Sequence, residues 1–294
     1  MPLVTPFGKN EDVDYGTFAE LIDFVVTRKY CDSIIVTGTT GEFNVLTFDE
    51  RVKLFEEGVK AAAGRVPVIA GTGCASTRET IALTNAAAEA GATCAMVIAP
   101  YYSKPVQSGI LDHFRAVHDA TSIDILLYNI PIFTGVNMEA WIVGELARLP
   151  RVVGIKDEAG VNPTQITDYY HATKAARPDF LLFNGDDIML MPTIAQGAVG
   201  IVSGGAHVVG DRIKSVFDLY ARGQVAEALE VFRQIYRLFK LFGLGGRVHP
   251  NAILRPAIEM VSGLTIGPPR RPQNPITPEE RQTLTQLLRE IKVL

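Results

Sequence analysis

The sequence is short of the features that mark several protein classes. Three cysteines occur in 294 residues, Cys31, Cys74 and Cys94, with no C-x-x-C spacing. That argues against a disulfide framework or a cysteine-rich metal site, and each is expected as a small core residue. Positive charge is not in excess: Lys+Arg 28 against Asp+Glu 32 leave a net charge of −4. A nucleic-acid or anionic-membrane surface, which needs a basic stripe, is therefore not expected. Hydrophobic residues make up 47% of the chain, yet no apolar run reaches the ~20 residues that span a bilayer. The opening MPLVTPFGKN has no charged segment followed by an apolar one, so a cytoplasmic protein is the expectation. The five histidines, His113, His118, His171, His207 and His249, show no H-E-x-x-H spacing. His113 and His118 stand five apart, not the four that align on a helix face, and no metal site is expected. The single tryptophan, Trp141, reads as a core or interface residue. Gly71-Thr72-Gly73 lacks the third glycine of a dinucleotide fingerprint.

What is present is alternation. Short apolar runs recur at 2–6, 33–37, 66–70, 94–100, 123–129, 152–156, 180–184 and 198–203. They are rich in Val and Ile and do not alternate with polar residues, which is how strands covered on both faces of a parallel sheet read. Between them, 17–29, 48–63, 77–90, 108–120, 138–149 and 163–176 carry helical periodicity, several headed by a capping residue such as Thr47 or Ser76. Eight such strands at intervals of about 30 residues point to the α/β class and to a (β/α)8 TIM barrel, a fold of ~250 residues. A doubly wound open sheet shows the same alternation and is the rival. The barrel is expected over residues 1–210. Residues 211–294 then read as a C-terminal helical extension packed on it in one structural unit, with FGLGGR (242–247) ending a helix. The proline-rich GPPRRPQNPITP (267–278) is expected to run extended before the last helix.

Barrels of this kind carry their working residues at the C-terminal ends of strands. The second run ends in Gly38-Thr39-Thr40-Gly41-Glu42. Its backbone N–H groups can cradle a carboxylate, or the residues can simply shape a turn. The fourth ends in Pro100-Tyr101-Tyr102, of which one tyrosine is expected to point inward, and the fifth in Tyr128-Asn129-Ile130-Pro131. The sixth places Lys156 at the end of a buried run, followed by Asp157 and Glu158. Such a lysine pairs with Asp157, Glu158 or Asp186, reaches out to solvent, or has its pKa pulled down from ~10.4. A drop of ~3 units costs about 4 kcal/mol of cation stability and yields a neutral amine able to attack a ketone. Asp186 and Asp187 can equally cap the next helix.

Together, GTTGE (38–42), PYY (100–102), YNIP (128–131), GIKD (154–157) and NGDD (184–187) resemble the signature of the pyruvate-dependent class I aldolases that include dihydrodipicolinate synthase and N-acetylneuraminate lyase. The resemblance covers nearly the whole chain, with the motifs in order. It implies a TIM barrel with a C-terminal helical extension, in a family whose first strand normally starts several residues earlier. It also implies a homotetramer built as a dimer of dimers. By the same resemblance Lys156 condenses with the keto carbon of pyruvate or another 2-oxo acid, and the iminium serves as electron sink for C–C cleavage or formation. Tyr128 shuttles protons, helped by Thr39 in a relay that extends to Tyr102 of a neighbouring subunit. Backbone N–H groups of Thr39 and Thr40, beside Gly38, hold the pyruvate carboxylate, while Val202, through its carbonyl, and Gly185 line the pocket. No cofactor is implied beyond the covalent pyruvate imine on Lys156. The partners are a small 2-oxo acid and an aldehyde. On the residues alone, Tyr128 can also be a belt aromatic bound to a backbone carbonyl.

Two departures bear on the substrate. The synthases carry, two residues past the YN-x-P proline, an arginine that holds the second substrate's carboxylate; here Phe133 stands there. A bidentate clamp is replaced by an apolar face. Two residues past the lysine the sugar-acid lyases carry Thr and the synthases Ala; this chain has Glu158, which can bind hydroxyls, act as an extra acid/base, or form an ion pair. Ile-Lys-Asp without the arginine is similar to the 2-keto-3-deoxygluconate aldolases. The expectation is therefore a lyase of a 2-keto-3-deoxy sugar acid or 4-hydroxy-2-oxo acid that releases pyruvate. The alternative is 4-hydroxy-tetrahydrodipicolinate synthase or a dehydratase. A non-catalytic binder of a 2-oxo acid is the third reading, disfavoured because binding alone does not need a proton relay.

Overall fold

A computed structural model describes residues 1–158 and 162–294. In chain order the elements are α1 (Tyr15–Thr27), β1 (Ile34–Val36), α2 (Phe48–Ala62), β2 (Val68–Gly71), α3 (Thr77–Glu89), β3 (Cys94–Ile98), α4 (Gln107–Ala120), β4 (Asp124–Asn129), α5 (Pro131–Thr134) and α6 (Ala140–Leu146). Then follow β5 (Val152–Asp157), α7 (Gln165–Thr173), β6 (Leu181–Asn184), α8 (Leu190–Ala195), β7 (Gly200–Ile201), α9 (Ala206–Ala221), α10 (Val225–Leu241), α11 (Asn251–Ser262) and α12 (Pro278–Glu290). The chain divides into two compact units, Met1–Pro67 with Ser203–Leu294, and Val68–Val202. None of the helices among the described residues is long and apolar enough to cross a membrane.

In the unit Val68–Val202, strands β2 to β7 lie side by side in chain order, all parallel. Residues of one parity, Ala95 and Val97, Ile125 and Leu127, Ile155, and Leu182, pack in one core with Ile110, Phe114, Ile142, Val143, Ile166 and Tyr169 from the helices. Side chains alternate along a strand, so the other parity, including Met96, Leu126, Tyr128, Lys156 and Phe183, faces away from that helix layer. Both faces being covered is what makes the runs continuously apolar.

The unit Met1–Pro67 with Ser203–Leu294 holds β1 and the helices α1, α2 and α9 to α12. The 2–6 run is not a strand, although it is buried: its one pairing is a bridge from Pro2 to Ile35. The bridge is carried by Leu3 N–H to the Ile35 carbonyl and Ile35 N–H to the Met1 carbonyl, and it goes no further because β1 ends at Val36, before the left-handed Thr37. Helix α9 begins at Ala206 and runs across residue 210, and the long helical stretch beyond is broken between α9 and α10 at Gly223, φ +77°. Thr47 closes a full capping box on α2, whereas the Ser76 side chain makes no cap bond to α3. The short helices α5 and α8 carry too few turns to leave a periodicity in the sequence. Cys74 and Cys94 are buried thiols, and Cys31 is partly exposed.

Candidate active site

Parallel registry aligns the ends of β4, β5 and β6. Tyr128 is the direct neighbour of Lys156, and Lys156 of Phe183, so lysine and tyrosine stand side by side on the face turned from the helices. Lys156 Nζ lies 4.0 Å from the centre of the Tyr128 ring, an ammonium- or amine-to-π contact that holds the amine over the ring. Both side chains are buried. Burial drives the Lys156 pKa down, with Glu158, Asp187 and Asp186 opposing it in that order. The net direction favours the neutral, nucleophilic amine.

The backbone beyond β5 brings up the carboxylate. Glu158 N–H donates to the Asn129 carbonyl at 3.0 Å, and Gly185 N–H to the Asp157 carbonyl at 2.7 Å. Gly185 sits where a side chain would collide: a Cβ there would lie 2.5 Å from Lys156 Cε and 2.9 Å from Glu158 Oε2. The lysine and the glutamate therefore meet over this glycine. Loss of solvent pushes the Glu158 carboxyl up to about 8, against the pull of Lys156. Asp186 accepts from Ile188 N–H at 3.2 Å and caps the short 3-10 turn that begins at Asp187. Gly185→Ala is expected to leave stability within about 1 kcal/mol, because a flexible lysine end yields. Displacing the amine should slow pyruvate adduct formation at least about tenfold, measured by timed borohydride trapping; an unchanged rate contradicts the close approach.

Behind the lysine, on the helix side, Asp157 anchors a buried polar network. Its Oδ1 accepts from Asn129 Nδ2 and Gln165 Nε2, each at 2.8 Å, while Asn137 Nδ2 donates to Gln165 Oε1 at 2.8 Å. Tyr169 OH donates to the Met138 carbonyl at 2.7 Å. The network ties the segment after α5 to the end of β5 and to α7. Asp157 Oδ2 makes no hydrogen bond among the described residues, and burial raises the carboxyl from 3.8 to about 6 despite the two amide donors. The folded state then binds this proton more tightly than the unfolded, so stability is lost as pH rises from about 4 to about 6, by about 3 kcal/mol. Asp157→Asn keeps an acceptor for both amides and is expected to abolish that loss. Denaturant unfolding from pH 4 to 8 checks it; parallel curves for both proteins contradict it.

The second cluster belongs to the other unit. After β1 the chain turns through Gly38-Thr39-Thr40-Gly41, with Thr37 and Glu42 in the left-handed region, φ +53° and +58°. A Cβ at Gly41 would stand 3.1 Å from Thr37 Cα and 3.2 Å from the Leu3 carbonyl, so only glycine closes this turn without displacement. The Thr39 carbonyl accepts from His249 Nε2 at 3.1 Å, and the Thr40 carbonyl from Asn251 Nδ2 at 2.8 Å. Asn251 also donates to Glu42 Oε1 at 2.7 Å, and the buried Arg255 pairs with the same carboxylate. Burial lowers the His249 pKa, which favours the neutral ring with Nε2–H as donor. Holding these carbonyls fixes where the peptide N–H groups of the turn point, which is what a carboxylate cradle needs. Glu42, His249, Asn251 and Arg255 were not among the expected site residues. Their one sequence signal is a charge, Arg255, inside the apolar stretch NAILRPAI.

Three further expected residues remain. Tyr102 is 91% exposed with φ +71°, and Phe133 on α5 is 40% exposed. Val202 is buried, its N–H donating to the Asn184 carbonyl at 2.7 Å.

Comparison with known proteins shows the family. The dihydrodipicolinate synthetase family matches residues 1–291. The 4-hydroxy-tetrahydrodipicolinate synthase 1 of Halalkalibacterium halodurans is 37% identical over 96% of this chain and 92% of its own. Among solved structures, the lysine-bound dihydrodipicolinate synthase of Cyanidioschyzon merolae is 35% identical with a TM-score of 0.93, over 100% of this chain and 97% of that one. The pyruvate complex of the Acinetobacter baumannii synthase is 30% identical with a TM-score of 0.90, over 100% and 98%. Motifs in order, a buried lysine beside a tyrosine, and likeness along the whole length lead to one conclusion: the chain belongs to the dihydrodipicolinate synthetase family of pyruvate-dependent lyases and synthases.

Proposed function

We propose that the protein forms a Schiff base between Lys156 and pyruvate and joins the resulting enamine to an aldehyde, as a 4-hydroxy-tetrahydrodipicolinate synthase. The observation that carries the Schiff-base step is the buried Lys156 amine, lowered in pKa and held 4.0 Å over the Tyr128 ring. Tyr128 transfers protons to and from the carbinolamine, with Thr39 and, from a neighbouring copy, Tyr102 completing the relay. The exposure of Tyr102 supports that placement. Thr39 and Thr40 N–H groups, beside Gly38, take the pyruvate carboxylate, and Val202, Phe133, Glu158 and Gly185 line the pocket. No cofactor enters beyond the imine itself. The architecture proposed is a closed (β/α)8 barrel over 1–210 with the helices of 211–294 packed on it, assembled as a homotetramer.

The relatives' names support the synthase over the lyase expected from the departures in sequence. The second reading, a lyase of a 2-keto-3-deoxy sugar acid, keeps support from Phe133 in place of the arginine and from Glu158. Product analysis separates them. Pyruvate with aspartate semialdehyde is expected to give the cyclic condensation product; release of pyruvate from 2-keto-3-deoxygluconate without condensation would favour the lyase.

A further inference from the structure

The geometry points to Glu158 as a second proton-transfer residue, dedicated to the aldehyde oxygen of the second substrate. The inference rests on the Schiff-base reading above and adds a role that reading leaves open. Lys156 Cε and Glu158 Oε2 lie 2.5 and 2.9 Å from one point above Gly185. The carboxyl thus stands on the same side of Gly185 as the end of the lysine, within reach of a substrate carried on its nitrogen. Tyr128 occupies the neighbouring strand position, so the two acid/base groups come to the lysine from different strand ends.

The groups that act electrically on Glu158 are Lys156, Asp186, Asp187 and Asp157. The three aspartates favour its protonated form and Lys156 the ionised form. With a neutral amine, Glu158 holds its proton. Imine formation consumes one proton, since amine, ketone and H⁺ give iminium and water, and the new cation lies beside Glu158 and favours its carboxylate. In cleavage that carboxylate removes the proton of the C4 hydroxyl. The O–H pair becomes the aldehyde C=O, the C3–C4 pair forms the enamine double bond, and the C=N pair returns to nitrogen. In condensation the pyruvate methyl proton leaves to solvent as the enamine forms; this discharges the cation, Glu158 takes up a proton from solvent, and that proton passes to the aldehyde oxygen as the C3–C4 bond forms. Proton and electrons balance in both directions without a further reactant.

The assignment separates the two halves of the reaction. Exchange of the pyruvate methyl hydrogens for deuterium needs only the iminium and its enamine; aldehyde turnover needs the hydroxyl proton as well. For Glu158→Gln, methyl exchange and the borohydride-trapped pyruvate adduct are expected to fall by about tenfold at most, because the iminium loses a nearby carboxylate while the lysine and its enamine remain. The kcat for pyruvate with aspartate semialdehyde, or for 2-keto-3-deoxygluconate, should fall at least about a hundredfold with KM little changed. Glu158→Asp should restore part of kcat, and the pH dependence of kcat seen with glutamate should be absent with glutamine. Turnover within threefold in Glu158→Gln, or exchange and turnover falling together, overturns the assignment. So does adduct formation by the unsubstituted protein without turnover of either substrate. If the unsubstituted protein forms no adduct at all, the Schiff-base reading itself has failed, an outcome distinct from these.

Discussion

Lys156→Ala is expected to lower turnover at least about a thousandfold while the protein still folds. In the proposed mechanism the lysine is the group that becomes covalently bonded to the substrate, and losing a nucleophile removes the whole covalent route rather than one contact within it. Folding should survive because burial works against the ammonium, as its lowered pKa records. A small apolar side chain removes that cost, although it leaves Glu158, Asp186 and Asp187 without their nearby cation. Steady-state kinetics alongside circular dichroism measure both. Residual activity within tenfold of the native protein would mean that another group carries the chemistry.

The largest expected effect on stability lies at Arg255. Its side chain and that of Glu42 are 1% and 2% exposed, and Arg255 Nη2 also donates to the Thr5 carbonyl at 2.6 Å. Arg255→Met leaves a carboxylate buried beside an apolar side chain, which typically costs about 3–5 kcal/mol. That corresponds to a fall in Tm of roughly 6–20 °C for a unit of this size. Because Asn251 bridges the Glu42 carboxylate and the Thr40 carbonyl, pyruvate affinity should weaken as well. The double variant Glu42→Gln with Arg255→Met leaves no unpaired charge and should recover much of the stability. Thermal unfolding of the three proteins checks this; equal Tm values for single and double variants would show that the pair is not what holds the turn.

Much of this organisation was legible in the sequence, and for a stated reason. Strands β3, β4 and β5 are buried on both faces, and continuous Val- and Ile-rich runs carry that signal regardless of partners. Lys156 stood out because a charge at the end of such a run demands an explanation. The 2–6 run misled because hydrophobicity reports burial, while strand pairing needs a partner that stays extended, and β1 ends at Val36 before the left-handed Thr37. The two short helices α5 and α8 fall below the length at which periodicity appears. Contacts across great sequence separation were invisible: nothing local links His249 and Asn251 to the carbonyls of Thr39 and Thr40, some 210 residues away. Glu158, two residues from Lys156, was among its expected partners; that Gly185 would lie against both was not legible, since it is set by the registry of β5 and β6.

The most direct measurement on the central claim is to reduce the protein with borohydride in the presence of pyruvate and map the modified peptide. A single pyruvate-derived adduct on Lys156, absent from Lys156→Ala, is the predicted result. An adduct on another lysine, or none in the folded protein, would contradict the account.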